Sequence, residues 1–178
     1  MIFLMGRLGL RRMEVHALSW GDLRGLGERS VLSVHGKGDK HAELHVPADV
    51  LDVLEAWRAA IAHAAGTVPT PSTPMFLVLG GGQTFEGLRL LPLALMTVGL
   101  IVRSRMIVAG QDGPRYGAHA LRATAATIAH EHGAGLLTIA RLLRHANTRT
   151  TQRYIRTAEN RRSSAAEVWQ GPTFGEAS

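Results

Sequence analysis

Tyr154, one of two tyrosines in the chain, follows His145 at a spacing of nine residues, in a segment that also carries Arg144, Thr150, Thr151 and Arg153. Upstream stand His119 and Arg122, then Lys37 within Gly36-Lys37-Gly38-Asp39-Lys40, then Arg11 within Gly9-Leu10-Arg11. Together they supply a phenol, guanidinium groups, imidazoles and an ammonium. Such a set suits attack on a phosphodiester without a metal. The displacement passes through a five-coordinate phosphorus whose non-bridging oxygens gain negative charge, and paired arginine N–H donors can clamp them. A preorganised donor of that kind is worth about 3–4 kcal/mol to the transition state.

A phenol titrates near pH 10 (about 10 in model peptides) and is a poor nucleophile alone. Neighbouring arginines stabilise its phenolate, and an imidazole can take its proton. The leaving 5′-oxygen needs a proton, for which Lys37 is the natural donor. Of the 20 lysines and arginines only Lys37 and Lys40 are lysines. Arginine cannot release a proton near neutral pH, whereas lysine can when its pKa is lowered. A covalent phosphotyrosine conserves the phosphodiester energy, so rejoining needs neither ATP nor metal.

Each residue alone has an ordinary reading: Tyr154 as a core or rim aromatic, the His119 and Arg122 pair as a solvated helix face. Around Tyr154 lie Arg141, Arg144, Arg149, Arg153, Arg156, Arg161 and Arg162, with Glu159 the only acid between them. Arginines on adjacent short helices can grip a DNA backbone. Arg141, Arg144, Arg149 and Arg153 are the DNA-binding candidates, though some of the row is expected to be solvated surface.

These residues need elements to hold them. Arg12 to about Leu18 is expected to form a short helix with Trp20 and Leu23 packed beneath it. Ser30–His35 and Ala42–Val46 alternate apolar and polar residues, so the glycine-rich turn between them places Lys37 on a hairpin. A helix opens at Pro47 and Asp49, with Val50, Leu54, Trp57 and Ile61 at helical spacing, and closes at Gly66. Residues 66–74 form a surface loop, and Phe76–Leu79 a short apolar segment. Leu88–Val102 is expected to be a buried helix, since Pro92 and its length fall short of the roughly 18 apolar residues of a membrane span. Helices follow at about Ala118–His132, which puts His119 and Arg122 on one face, and at Leu136–Leu143. Another begins near Thr148, capped by Asn147 or Thr148. A last helix is expected at Ala158–Trp169, then a tail at 170–178. The fold class is α+β and mainly helical, one domain over residues 1–169.

A net charge of +6 and a pI near 10.9 favour a polyanionic partner. With no cysteine, disulfides, thiol catalysis and Cys-zinc sites are excluded. His41 and His45 would share a strand face, but His130 and His132 diverge on a helix, and no His-Glu-x-x-His pattern occurs. Neither a metal nor a cofactor is expected, and Gly80–Gly82 lacks the Gly-Lys-Ser/Thr of a phosphate-binding loop.

From Gly9 to about Thr157 the chain resembles the catalytic domain of the tyrosine recombinase (phage integrase) family. The resemblance rests on Gly9-Leu10-Arg11-Arg12-Met13-Glu14, with Leu18 and Asp22 also in place. It rests further on Gly36-Lys37-Gly38-Asp39-Lys40, on His119-Ala120-Leu121-Arg122, and on Leu143-Arg144-His145 through Thr150-Thr151 to Tyr154. It implies a small three-stranded antiparallel sheet beside the helices. It also implies that Arg11, Arg122 and His145 contact the scissile phosphate, that His119 assists proton transfer, and that Lys37 is the general acid. Tyr154 would form a 3′-phosphotyrosine and free a 5′-hydroxyl. The implied partner is double-stranded DNA, bound by a homo-tetramer that exchanges the Ala158–Trp169 helix, with a monomer in its absence. The setting would be the bacterial cytoplasm and nucleoid, in a bacterium or phage-infected cell, with no membrane contact.

Arg144 replaces the glycine usual before the histidine, and Ala123 a histidine often found after the Leu-Arg pair. The family's N-terminal core-binding domain is expected to be absent and the first helix clipped. Two rival readings are a non-catalytic DNA-binding remnant and a type IB topoisomerase-like enzyme.

Overall fold

The computed structural model describes residues 1–36, 40–78 and 92–162. The chain opens with α1 (Ile2–Leu8) and α2 (Arg12–Ala17), and a single 3-10 turn (Trp20–Asp22) leads into the sheet. Strands β1 (Leu23–Leu26), β2 (Arg29–Gly36) and β3 (Lys40–Val46) are antiparallel in the order β1-β2-β3. Helices α3 (Ala48–Ala65), α4 (Leu95–Val108), α5 (Ala118–Glu131), α6 (Leu136–Leu142) and α7 (Thr148–Arg162) complete the described chain. The mainly helical fold with one small sheet is the one expected.

Pairing of Leu32 with Leu23 on one side and Leu44 on the other, and of Val34 with Ala42, sets the register. Because side chains alternate across a strand, that register turns Leu32, Val34, Leu44 and Val46 together onto the buried face. They join Leu4, Met5 and Leu8 of α1, Val15 of α2, and Val50, Leu54 and Ile61 of α3 in the larger core cluster. A smaller cluster of Ala126, Ile139, Leu143 and Ile155 ties α5, α6 and α7 together.

Gly9 is the junction between the two clusters. It ends α1 at φ 61°, in the left-handed region that favours glycine. A Cβ at this position would sit 2.6 Å from Cδ2 of Leu143. Both constraints hold the residues after it, including Arg11, close to the α6–α7 turn.

Strand β1 lacks the alternation that marked the other two, because its residues lie on the exposed edge of the sheet. The helix expected at Leu88–Val102 is instead α4, seven residues later at its start, and Leu88–Leu91 lie outside the described residues. Pro92, which disfavours helix in the residue before it, is bridged to Leu77. Nor is α4 a buried helix. Val98 and Val102 are inside, while Met96, Leu100, Ile107 and Val108 are exposed. At the other end α7 continues through Ala158, so no separate helix starts there; residues 163–178 lie outside the described residues. Among the described residues no helix is long and apolar enough to cross a membrane.

Candidate active site

The site forms where α2, α5, α7 and the α6–α7 turn meet. Arg11 is the N-cap of α2, and its backbone N–H donates to the Glu14 carboxylate at 2.7 Å. This bond satisfies one of the orphan donors of the helix start and orients the residue. The Arg11 guanidinium donates to the same carboxylate at 2.7 Å and to the Arg144 carbonyl at 3.4 Å. It remains substantially exposed.

Arg122 is only 2% exposed and donates to the carbonyls of Gly9 and Leu143. It therefore joins the end of α1 to the end of α6. Burial, with the positive charges of Arg11 and Arg144 adding to it, lowers its pKa to about 10. It stays a cation at neutral pH.

Tyr154 stands about two turns into α7, and His119 in the first turn of α5. The phenol oxygen lies 2.7 Å from Nε2 of His119. With that nitrogen unprotonated, the phenol donates, which is the arrangement a general base requires. The His145 ring stacks on Tyr154 at 5.9 Å between centroids and 30° between planes. Its Nδ1 shares a 2.8 Å hydrogen bond with Oγ1 of Thr151, which is fully buried. Burial first, then the cationic Arg122, Arg11 and Arg144, push the His145 pKa down to about 4. His145 is therefore neutral near pH 7. Asn147 accepts the Arg149 N–H at 2.8 Å, capping α7 and fixing the turn that carries His145.

Arg11, His119 and Arg122 line one open groove of about 590 Å³, with Arg12 and Arg115 beside them. Five residues of the expected set, Arg11, His119, Arg122, His145 and Tyr154, are thus brought together from four separate elements. Lys37 falls outside the described residues. The pairing of β2 with β3 runs out to Gly36 opposite Lys40.

Of the arginines expected at a DNA surface, Arg141, Arg149 and Arg153 are exposed. Arg144 departs from that expectation. Its side chain is 11% exposed and pairs with the buried Glu14 at 2.6 Å. Two residues in this network had no role assigned from sequence, Glu14 and Thr151. Glu14 was legible only as a motif member, and its signal was an acid three residues after an N-cap arginine. Thr151 was likewise legible only as a motif member, in the Thr150-Thr151 pair between His145 and Tyr154. Among the described residues no group of three or more His, Cys, Asp or Glu is placed to hold a metal.

The family model described as the phage integrase family matches residues 1–161. The tyrosine recombinase XerC of Caldanaerobacter subterraneus subsp. tengcongensis is 30% identical over 147 residues, covering 82% of this chain and 37% of that protein. XerC of Corynebacterium efficiens is 30% identical over 153 residues, 86% of this chain and 44% of the relative. The chain thus spans less than half the length of these curated relatives. Among solved structures, XerH site-specific recombinase bound to palindromic difH substrate shares the fold with a TM-score of 0.70 at 21% identity, over 96% of this chain and 45% of that one. XerA recombinase does so at 0.69 and 22% identity, over 89% and 54%. The chain belongs to the phage integrase family, the tyrosine recombinases.

Proposed function

We propose that the chain is the catalytic domain of a site-specific DNA recombinase that cuts and rejoins strands through a 3′-phosphotyrosine on Tyr154. The observation that carries this reading is the 2.7 Å contact between the Tyr154 hydroxyl and Nε2 of His119, beside the buried Arg122. In the proposed step the phenol oxygen bonds to phosphorus as the P–O5′ bond breaks. The phenol proton passes to His119, and Lys37 gives a proton to the departing 5′-oxygen. Arg11 and Arg122 hold the non-bridging oxygens, and the neutral His145 donates to one of them through Nε2. Rejoining is the same path in reverse, with no ATP and no metal.

Double-stranded DNA is the proposed substrate, supported by the net charge of +6 and by the exposed Arg141, Arg149 and Arg153 flanking the site. The XerH neighbour is described as bound to its own DNA substrate. The proposed assembly on DNA is a tetramer linked by C-terminal segments, working in the bacterial cytoplasm on the nucleoid. The division into a domain at residues 1–169 and a tail at 170–178 belongs to the same proposal.

A nicked suicide duplex carrying the chain's target tests the reading, because loss of the short 5′-hydroxyl strand stops rejoining. The wild type should accumulate a covalent protein–DNA adduct, and Tyr154→Phe should form none. A chain that bound the duplex and formed no adduct would be a DNA-binding remnant.

A further inference from the structure

Arg144 occupies the left-handed region at φ 51°, alone among the described non-glycine residues. A side chain there carries a steric cost that glycine would not. The residue is nevertheless turned inward and engaged by every polar end. Its Nη2 donates to Glu14 Oε2 at 2.6 Å and to the Gly9 carbonyl at 3.1 Å. Its Nη1 donates to the Leu142 carbonyl at 2.7 Å, and Nε reaches Glu14 Oε1 at 3.4 Å. Its own carbonyl accepts from Arg11.

Glu14 is 3% exposed, so its carboxylate needs cationic partners. Burial would push its pKa up, but the hydrogen bonds and charge of Arg144, with those of Arg11, hold it below the usual carboxylate range. Oε2 accepts from Arg144 and from the Arg11 backbone N–H, and the Arg11 guanidinium meets the carboxylate through Oε1 alone. A two-pronged grip of Arg11 on Glu14 would draw both of its prongs away from the groove.

We propose that Arg144 is a positioning residue: clamped on Glu14, it fixes Arg11 and the His145 turn relative to each other and makes no phosphate contact itself. The proposal rests on the catalytic reading above, since the two residues it positions are the proposed phosphate ligands. Glycine at this position would ease the backbone and leave Glu14 to Arg11. The arginine is thus a substitute strut between two elements, acting through a buried carboxylate.

The test uses Arg144→Gly, and Arg144→Asn as a second residue that tolerates the left-handed backbone. Each is measured for adduct formation at saturating nicked DNA and for DNA affinity, alone and combined with Glu14→Gln. The expected result is adduct formation slowed at least tenfold, with the dissociation constant within twofold of wild type. Glu14→Gln should then add less than a twofold further loss. Weaker DNA binding with an unchanged saturated rate would overturn the proposal, since that marks a phosphate contact, as would losses that multiply or no loss at all. A readout without DNA separates this outcome from failure of the catalytic reading itself. In Arg144→Asn the NMR resonances of the Arg11 Nε–H and the His145 imidazole should both move, whether or not wild type forms an adduct. If both stay at their wild-type positions, Arg144 positions neither residue.

Discussion

The Tyr154 hydroxyl and Nε2 of His119 are 2.7 Å apart although the residues lie 35 positions apart in the chain. Packing of α5 against α7 through Ala126 and Ile155 brings the two helices together. His119→Ala should therefore slow adduct formation by about 10²–10⁴-fold, the usual worth of a positioned general base. DNA affinity should change little. Rates of variant and wild type at saturating DNA check this, and a variant as fast as wild type would remove His119 from the proton transfer.

His145 yields a prediction about stability. Its folded pKa is depressed to about 4 by burial and by Arg122, Arg11 and Arg144, against about 6.5 for an unperturbed histidine. Between those values the unfolded chain binds the proton and the folded chain does not, so stability rises with pH through that window. Acidification from about pH 6.5 toward 4 should lower the thermal unfolding midpoint. In His145→Gln that decline should be shallower. Equal slopes in the two proteins would mean that His145 is not held neutral.

Gly9→Ala should destabilise the domain by about 1–3 kcal/mol, combining a left-handed backbone with a methyl forced onto the Leu143 side chain. Urea unfolding measures it. Leu143→Ala in the same chain should remove the overlap while leaving the backbone cost. The two changes together should therefore cost less than their sum.

Much of this site was legible before any fold was known, because its chemistry sits in short local patterns. The i, i+3 spacing of His119 and Arg122 fixes their common helix face. The glycine at 66 marks a helix end that the structure places at α3. What local pattern could not carry was long-range packing. Strand β1 has three exposed residues in succession and exists because Leu23 pairs with Leu32. The apolar run around α4 promised burial, yet an apolar composition says nothing about which neighbours are present, and Met96 and Leu100 are exposed. Arg144 read as one more DNA-facing arginine. Only the fold brings it to Glu14, 130 positions away.

Lys37, as the proposed general acid, predicts a chemical rescue. Lys37→Ala should lose most adduct formation on ordinary DNA. It should recover on a duplex with a 5′-phosphorothiolate at the scissile position, because a thiolate leaves without being protonated. Comparing the two substrates reads the ratio directly. An unrescued variant would assign Lys37 to the structure of the hairpin turn instead.

The polarity of the covalent linkage is the most direct measurement. Wild-type protein is trapped on the nicked duplex, digested with protease, and the modified peptide and both DNA ends are identified by mass spectrometry. The predicted result is one peptide joined through Tyr154 to a 3′-phosphate, opposite a free 5′-hydroxyl. A linkage to any other side chain would contradict nucleophilic attack by this phenol, and a 5′-phosphate on the protein with a free 3′-hydroxyl would contradict departure of the 5′-oxygen.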